Sequence, residues 1–197
     1  MPSDSSNRAG WPGALILPKP GVPLSLEVVE TEVLAGVPRP PVVRKIYRDM
    51  AGRTRIDPYH VNLVLLMDPV KGMLFALESP SNVAHRMKSL KVGPSSGSPH
   101  FTFFVGPSAQ EENLGTQIID GIEYEGTRVT ISKGTPEAET IERWFSNELG
   151  LIGLTTDSAS DWERTARIQK LVRAEPDPML FELPQEYTIR DLNSPEN

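Results

Sequence analysis

Apolar and polar residues alternate along most of the chain in short runs, and turn residues separate the runs. That period of two predicts strands rather than amphipathic helices. The clearest case is the stretch from Gly115 to Ile131, where two β-prone runs flank Asp120-Gly121. A type I′ turn needs φ > 0 at both central residues, and Asp-Gly supplies that at low cost. A second pair follows, from Thr140–Phe145 to Leu151–Thr156.

The rest of the chain reads in the same way. Leu24–Leu34 is the first predicted strand, with Leu24, Leu26 and Val28 on one face. Its phase slips at Val28-Val29, which predicts a β-bulge. Pro38, Pro40 and Pro41 cannot donate to a ladder, so 36–41 is a break. Val42–Arg48 turns through Asp49–Gly52 into Arg53–Asp57, which Pro58 interrupts. In Asn62–Met67, Leu63, Leu65 and Met67 oppose Val64 and Leu66, a pattern that predicts burial on both faces. Met73–Glu78 pairs back after the Asp68–Gly72 turn, and Val83–Leu90 follows. Arg164–Val172 fits a strand by its place in a run of hairpins, although part of it also scores as helix. Asp177-Pro178 combines an N-cap residue with proline at the first helical position, which predicts a one-turn helix.

Together these elements predict a single β domain over 24–190. Residues 1–23 read as an extended arm rich in Pro, Ser and Gly, 91–113 as a flexible insert, and 191–197 as a tail. The 19 prolines and 15 glycines fall between the β-prone runs, in keeping with a mostly-β fold.

Composition narrows the function classes. A chain of 197 residues buries roughly 70 % of its unfolded surface and folds without staples. It has no cysteine, which removes disulfides, zinc–thiolate sites and thiol nucleophiles. A net charge of −6 argues against nucleic acid as a partner. No apolar run approaches the roughly 20 residues that span a bilayer. The N-terminus has no basic and apolar secretory pattern, so the chain reads either as cytoplasmic or as a mature exported form.

Candidate chemistry is sparse. His60, His85 and His100 have no metal-ligand spacing. Glu123 and Glu125 share a strand face, where they serve either as an acid/base pair or as a solvated face with Arg128 or Arg143 across the ladder. Arg44, Lys45, Arg48, Arg53 and Arg55 cluster around one hairpin, where an anion or simply solvent meets them. No phosphate-binding or nucleophile-elbow motif occurs, and neither a cofactor nor a metal is expected. The apolar surplus is more informative. Trp144 and Phe145 point to opposite faces of one strand, so something covers both faces. Phe101, Phe103 and Phe104 interrupt the polar insert, either as a short docked strand or as an apolar lid. With Leu65 and Phe75 these five aromatics form the candidate ligand-binding set.

Several motifs carry a resemblance. They are Val42-Val43-Arg44-Lys45-Ile46-Tyr47-Arg48-Asp49 with Gly52-Arg53-Thr54-Arg55, Asp68-Pro69-Val70-Lys71-Gly72, and Leu114-Gly115-Thr116-Gln117 with Asp120-Gly121 and Glu125-Gly126-Thr127-Arg128. Glu142-Arg143-Trp144-Phe145-Ser146 and Arg173-Ala174-Glu175-Pro176-Asp177-Pro178 with Leu180-Phe181 complete the set. In this order the chain resembles a family of exported bacterial β-rich proteins with no assigned activity. More distantly, the order of hairpins resembles the lipoprotein-carrier superfold of LolA, LolB and RseB-type sensors. The resemblance implies one strongly curved antiparallel sheet, an unclosed half-barrel around an apolar cavity, with one or two short helices. It also implies an exported, periplasmic setting. The expected function is non-enzymatic binding of a lipid-like or lipoprotein-like ligand on the concave sheet face, as carrier or sensor, or binding of an envelope protein partner. The alternatives are an interaction module that uses sheet-edge pairing and a hydrolase using Glu123, Glu125 or His85.

Overall fold

The computed structural model describes residues 19–60, 62–88 and 109–192. Its strands are β1 (Leu24–Leu34), β2 (Val37–Pro38), β3 (Val42–Arg48), β4 (Thr54–His60), β5 (Leu63–Asp68), β6 (Met73–Glu78), β7 (Val83–Lys88), β8 (Gln110–Ile119), β9 (Ile122–Ile131), β10 (Glu139–Ser146), β11 (Leu151–Ala159), β12 (Trp162–Val172) and β13 (Thr188–Asp191). All belong to one sheet, ordered β13-β7-β6-β5-β4-β3-β1-β12-β11-β10-β9-β8, with β2 paired to β1. Two meanders, β3–β7 and β8–β12, lie on either side of β1, whose long antiparallel pairing with β12 fuses them. Among the described strands only β13 runs parallel, along β7. Among the described residues the sheet does not close on itself: β13 and β8 are its edges. The fold is therefore mostly β, as the alternation predicts, and forms one unclosed antiparallel sheet, as the resemblance implies.

Most local signals act where the sequence places them. Asp120 (φ 51°) and Gly121 (φ 77°) make the type I′ turn between β8 and β9. The register of β1 on β12 shifts between Glu27 and Val28, but the extra residue is Gln169 of β12, not a residue of β1 as the phase slip at Val28-Val29 predicts. Asp177 caps a 3-10 turn at Pro178–Phe181, its carboxylate accepting the Met179 N–H at 2.9 Å.

Burial on both faces of β5 has two separate causes. On one face, Leu65 and Met67 pack against the main core of Leu24, Leu26, Val28, Ile46, Ile56 and Ala166. On the other, Val64 and Leu66 join Leu77 and Ala84 in a second cluster, which Leu183 and Tyr187 cover. The covering chain is a strap after β12, and polar contacts hold it. Glu175 accepts the Met50 N–H at 3.0 Å, and Arg55 donates to the Leu180 carbonyl at 3.2 Å. The Arg53 guanidinium sits 5.1 Å from the Phe181 ring centre and pairs with Asp49 at 2.5 Å.

One end of the main core is plugged by the chain itself. Arg48 is fully buried; its Nε donates to the Val22 carbonyl at 2.9 Å and its Nη2 to the Leu149 carbonyl at 2.5 Å. Burial lowers the Arg48 pKa to about 10. Lys19 donates to the Glu148 carbonyl at 3.0 Å, so the first described residues cross beneath the β10–β11 turn.

Two segments differ from expectation. Gln110–Asn113 is not part of an irregular insert: it opens β8 and pairs with Thr127–Thr130. Its polarity hides a strand: three of its four partners are polar, and Glu112 reaches Arg128 at 3.1 Å. The break at 36–41 holds Val37–Pro38, which turns back onto β1. Residues 1–18 of the arm, 91–108 of the insert and 193–197 of the tail lie outside the described residues.

Candidate ligand groove

The β8–β9 hairpin builds the site by outrunning its neighbour. β9 pairs with β10 only from Glu125 onward, so Ile122 and Tyr124 stand beyond the end of β10. They fold over β11 at Gly153, the extra residue of a bulge: Trp144 pairs with Leu154 and Phe145 with Ile152. A Cβ on Gly153 would lie 2.2 Å from Tyr124 Cε1, so only glycine lets the ring settle there. β11 pairs with β12 only from Leu154 upward, so Ile168–Val172 of β12 have β1 as their only neighbouring strand among the described residues, with Gln169 bulged out of that ladder. The strands part below Leu154 and leave a gap.

That gap is a cavity of about 380 Å³. Ile119, Ile122, Tyr124, Leu154, Ile168 and Leu171 line it with apolar surface. Asp120, Arg167, Gln169 and Arg173 supply its polar groups. Arg167 and Asp120 approach to 3.6 Å. Asp120 sits on the turn before β9, while Arg167 sits on β12, three strands away in the sheet. Their contact spans β10 and β11, so this face of the sheet curls inward here. Arg173 is paired with Glu148. Burial, and next the charge of Asp120, push the Tyr124 phenol above its usual pKa, so it remains a protonated donor at neutral pH.

The same strands also carry a row of part-buried ion pairs, on the face that Val28 and Ala166 share. Arg44 meets Glu30 at 3.1 Å, Glu30 meets Arg164 at 3.7 Å, and Arg164 meets Asp157 at 2.9 Å; Asp157 also meets Arg143. The row crosses β3, β1, β12, β11 and β10 and ties the two meanders together.

The candidate residues from sequence are not gathered into one place. Trp144 is 9 % exposed; its ring rests against Gly126 and its Nε1 donates to Glu142 at 2.7 Å. Phe145 is equally buried and faces the other way, as the alternation requires. Leu65 packs on the main core, whereas Phe75 packs against the strap-covered cluster on the opposite face. Phe101, Phe103 and Phe104 lie outside the described residues. Glu123 is exposed, and Glu125 accepts from Asn147 at 2.6 Å. The basic cluster divides: Arg44 is held by Glu30, Arg53 by Asp49, and Arg55 by Asp57 at 2.6 Å. The groove itself escapes the sequence pattern, with one clue. Gly153 inside a strand marks a close approach by another group, here Tyr124.

With this geometry in view, several solved structures prove similar. The Pseudomonas aeruginosa MucA/MucB complex matches at 12% identity and a TM-score of 0.44, over 85% of this chain and 58% of that one. The chain thus spans little more than half of that structure's length. Mycobacterium tuberculosis lipoprotein LppX matches at 11% identity and TM-score 0.36, over 77% of this chain and 88% of its own. A LolA superfamily protein from Nitrosomonas europaea matches at 9% identity and TM-score 0.36, over 83% and 91%. No family model matches the sequence, and no curated protein does. At these identities and TM-scores the likeness is distant, and what this chain binds has to be read from its own residues. Among the described residues, no helix is long and apolar enough to cross a membrane.

Proposed function

We propose that this chain is a non-enzymatic binding domain that holds an apolar or amphipathic, lipid-like ligand, as a carrier or sensor in the cell envelope. The observation that carries the proposal is the 380 Å³ groove, apolar in its floor and polar at its rim, on the inward-curled face between the β8–β9 hairpin and β12. Its volume falls within the roughly 300–1,000 Å³ of small-molecule sites. The exported setting rests on the resemblance described from sequence.

Magnitudes fit a carrier. A ligand burying about 300 Å² of apolar surface gains about 7 kcal/mol. Association costs about 4 kcal/mol or more, which leaves about 3 kcal/mol, or millimolar binding. Polar contacts at the rim have to supply anything tighter.

Titration with the apolar fluorophore 1-N-phenylnaphthylamine tests the reading. Saturable binding is expected, and Leu154→Gln should weaken it while circular dichroism stays unchanged. A linear, non-saturating response from the parent protein would sink the proposal.

A further inference from the structure

The groove carries a charge sign opposite to that of the chain. The protein has a net charge of −6, yet the groove's ionic groups are two arginines, Arg167 and Arg173, against one carboxylate, Asp120. Neither arginine is committed to a buried partner. The Arg167–Asp120 separation of 3.6 Å exceeds good hydrogen-bond length, and the two side chains are 57 % and 77 % exposed. Arg173 and Glu148 are 49 % and 54 % exposed. Exposed pairs of this kind are weak and exchange readily. Tyr124 lines the same groove, 4 % exposed, with a phenol able to donate.

We infer that the groove selects a single-chain amphiphile with a carboxylate head, and that Arg167 and Arg173 bind the head while Ile122, Leu154 and Leu171 bed the chain. This rests on the groove being the ligand site. Each guanidinium offers a planar fork that matches a carboxylate, and it exchanges an exposed partner for one at the edge of an apolar cavity, where the contact is stronger. A cationic amphiphile meets two like charges, and a neutral alcohol forgoes both forks. The volume, near the low end for ligand sites, suits one chain rather than two.

The experiment is displacement of bound 1-N-phenylnaphthylamine by palmitate, hexadecanol and hexadecyltrimethylammonium, each below its micelle concentration. Palmitate should displace the dye at least about tenfold better than hexadecanol, and the cation should be the weakest. High salt should shrink the palmitate advantage. The double variant Arg167→Gln/Arg173→Gln, altered only at exposed side chains, should abolish that advantage while still binding the dye. Tyr124→Phe should reduce it several-fold. If the dye binds but palmitate is no better than hexadecanol, or its advantage survives the double variant, the head-group assignment is overturned and the groove stands. If the dye does not bind, the groove and the head-group assignment both fall.

Discussion

The indole of Trp144 rests against the backbone of Gly126, the residue opposite it on β9: a Cβ on Gly126 would lie 2.6 Å from Trp144 Cζ3. Gly126 is therefore an energetic partner of the tryptophan rather than a turn residue. Gly126→Ala should cost about 1–3 kcal/mol, the range for overpacking a filled site. The measurement is urea unfolding, with tryptophan emission as a second readout. Emission should shift to the red as the ring is pushed from the core. An unchanged midpoint would mean that the ring has room to move.

This pair also shows how far the sequence can be read. Period-two alternation, the Asp120-Gly121 turn and the Asp177 cap are local signals, and local signals set the strands and the hairpins between chain neighbours. Trp144 is different. Its neighbours in sequence show that it lies on the face opposite Phe145, but not that Gly126 waits across the ladder with room for a ring. An aromatic that looks like a ligand wall is thus core. Conversely, Tyr124 alternates with Glu123 and Glu125 like any residue on a half-solvated strand. Its role in the groove depends on β9 outrunning β10 and on a bulge at Gly153, both set by pairing between segments distant in sequence.

Asp157 is 6 % exposed and serves Arg164 at 2.9 Å and Arg143 on its other side. Asp157→Asn would leave two part-buried guanidinium groups close together without the anion between them. A cost of about 3–5 kcal/mol is expected, as when one partner of a buried pair is removed. Glu148→Gln, at the exposed pair with Arg173, should cost less than about 1 kcal/mol. Chemical denaturation of both variants checks the contrast, and equal costs would show that the row adds little.

The parallel edge strand is expected to respond to pH. Arg86 holds Asp191 through two contacts of 2.6 Å, and that hydrogen bond, followed by the guanidinium charge, lowers the Asp191 pKa. A carboxyl whose folded pKa is lowered stabilises the fold above its unfolded value and loses that contribution as pH falls through the folded value. Protection of the β13 amides against hydrogen exchange should therefore fall as pH drops below the ordinary aspartate range. Asp191→Asn should reduce protection at neutral pH and remove this acid dependence. Identical pH profiles for parent and variant would show that backbone pairing with β7 holds β13 without the ion pair.

Gly153 joins stability to binding. A methyl group there meets Tyr124 at 2.2 Å from Cε1 and 2.6 Å from the hydroxyl oxygen, so the ring has to leave its seat. The main core encloses one side of the ring and the groove lies on the other, so the open direction is into the cavity. Gly153→Ala should thus lower stability by about 1–3 kcal/mol and also weaken 1-N-phenylnaphthylamine binding, because the displaced phenol takes up ligand space. Gly126→Ala should lower stability by a similar amount and leave dye binding near the parent value, since Trp144 does not line the cavity. Equal losses of binding in the two variants would mean that general loosening, rather than a blocked groove, sets the affinity.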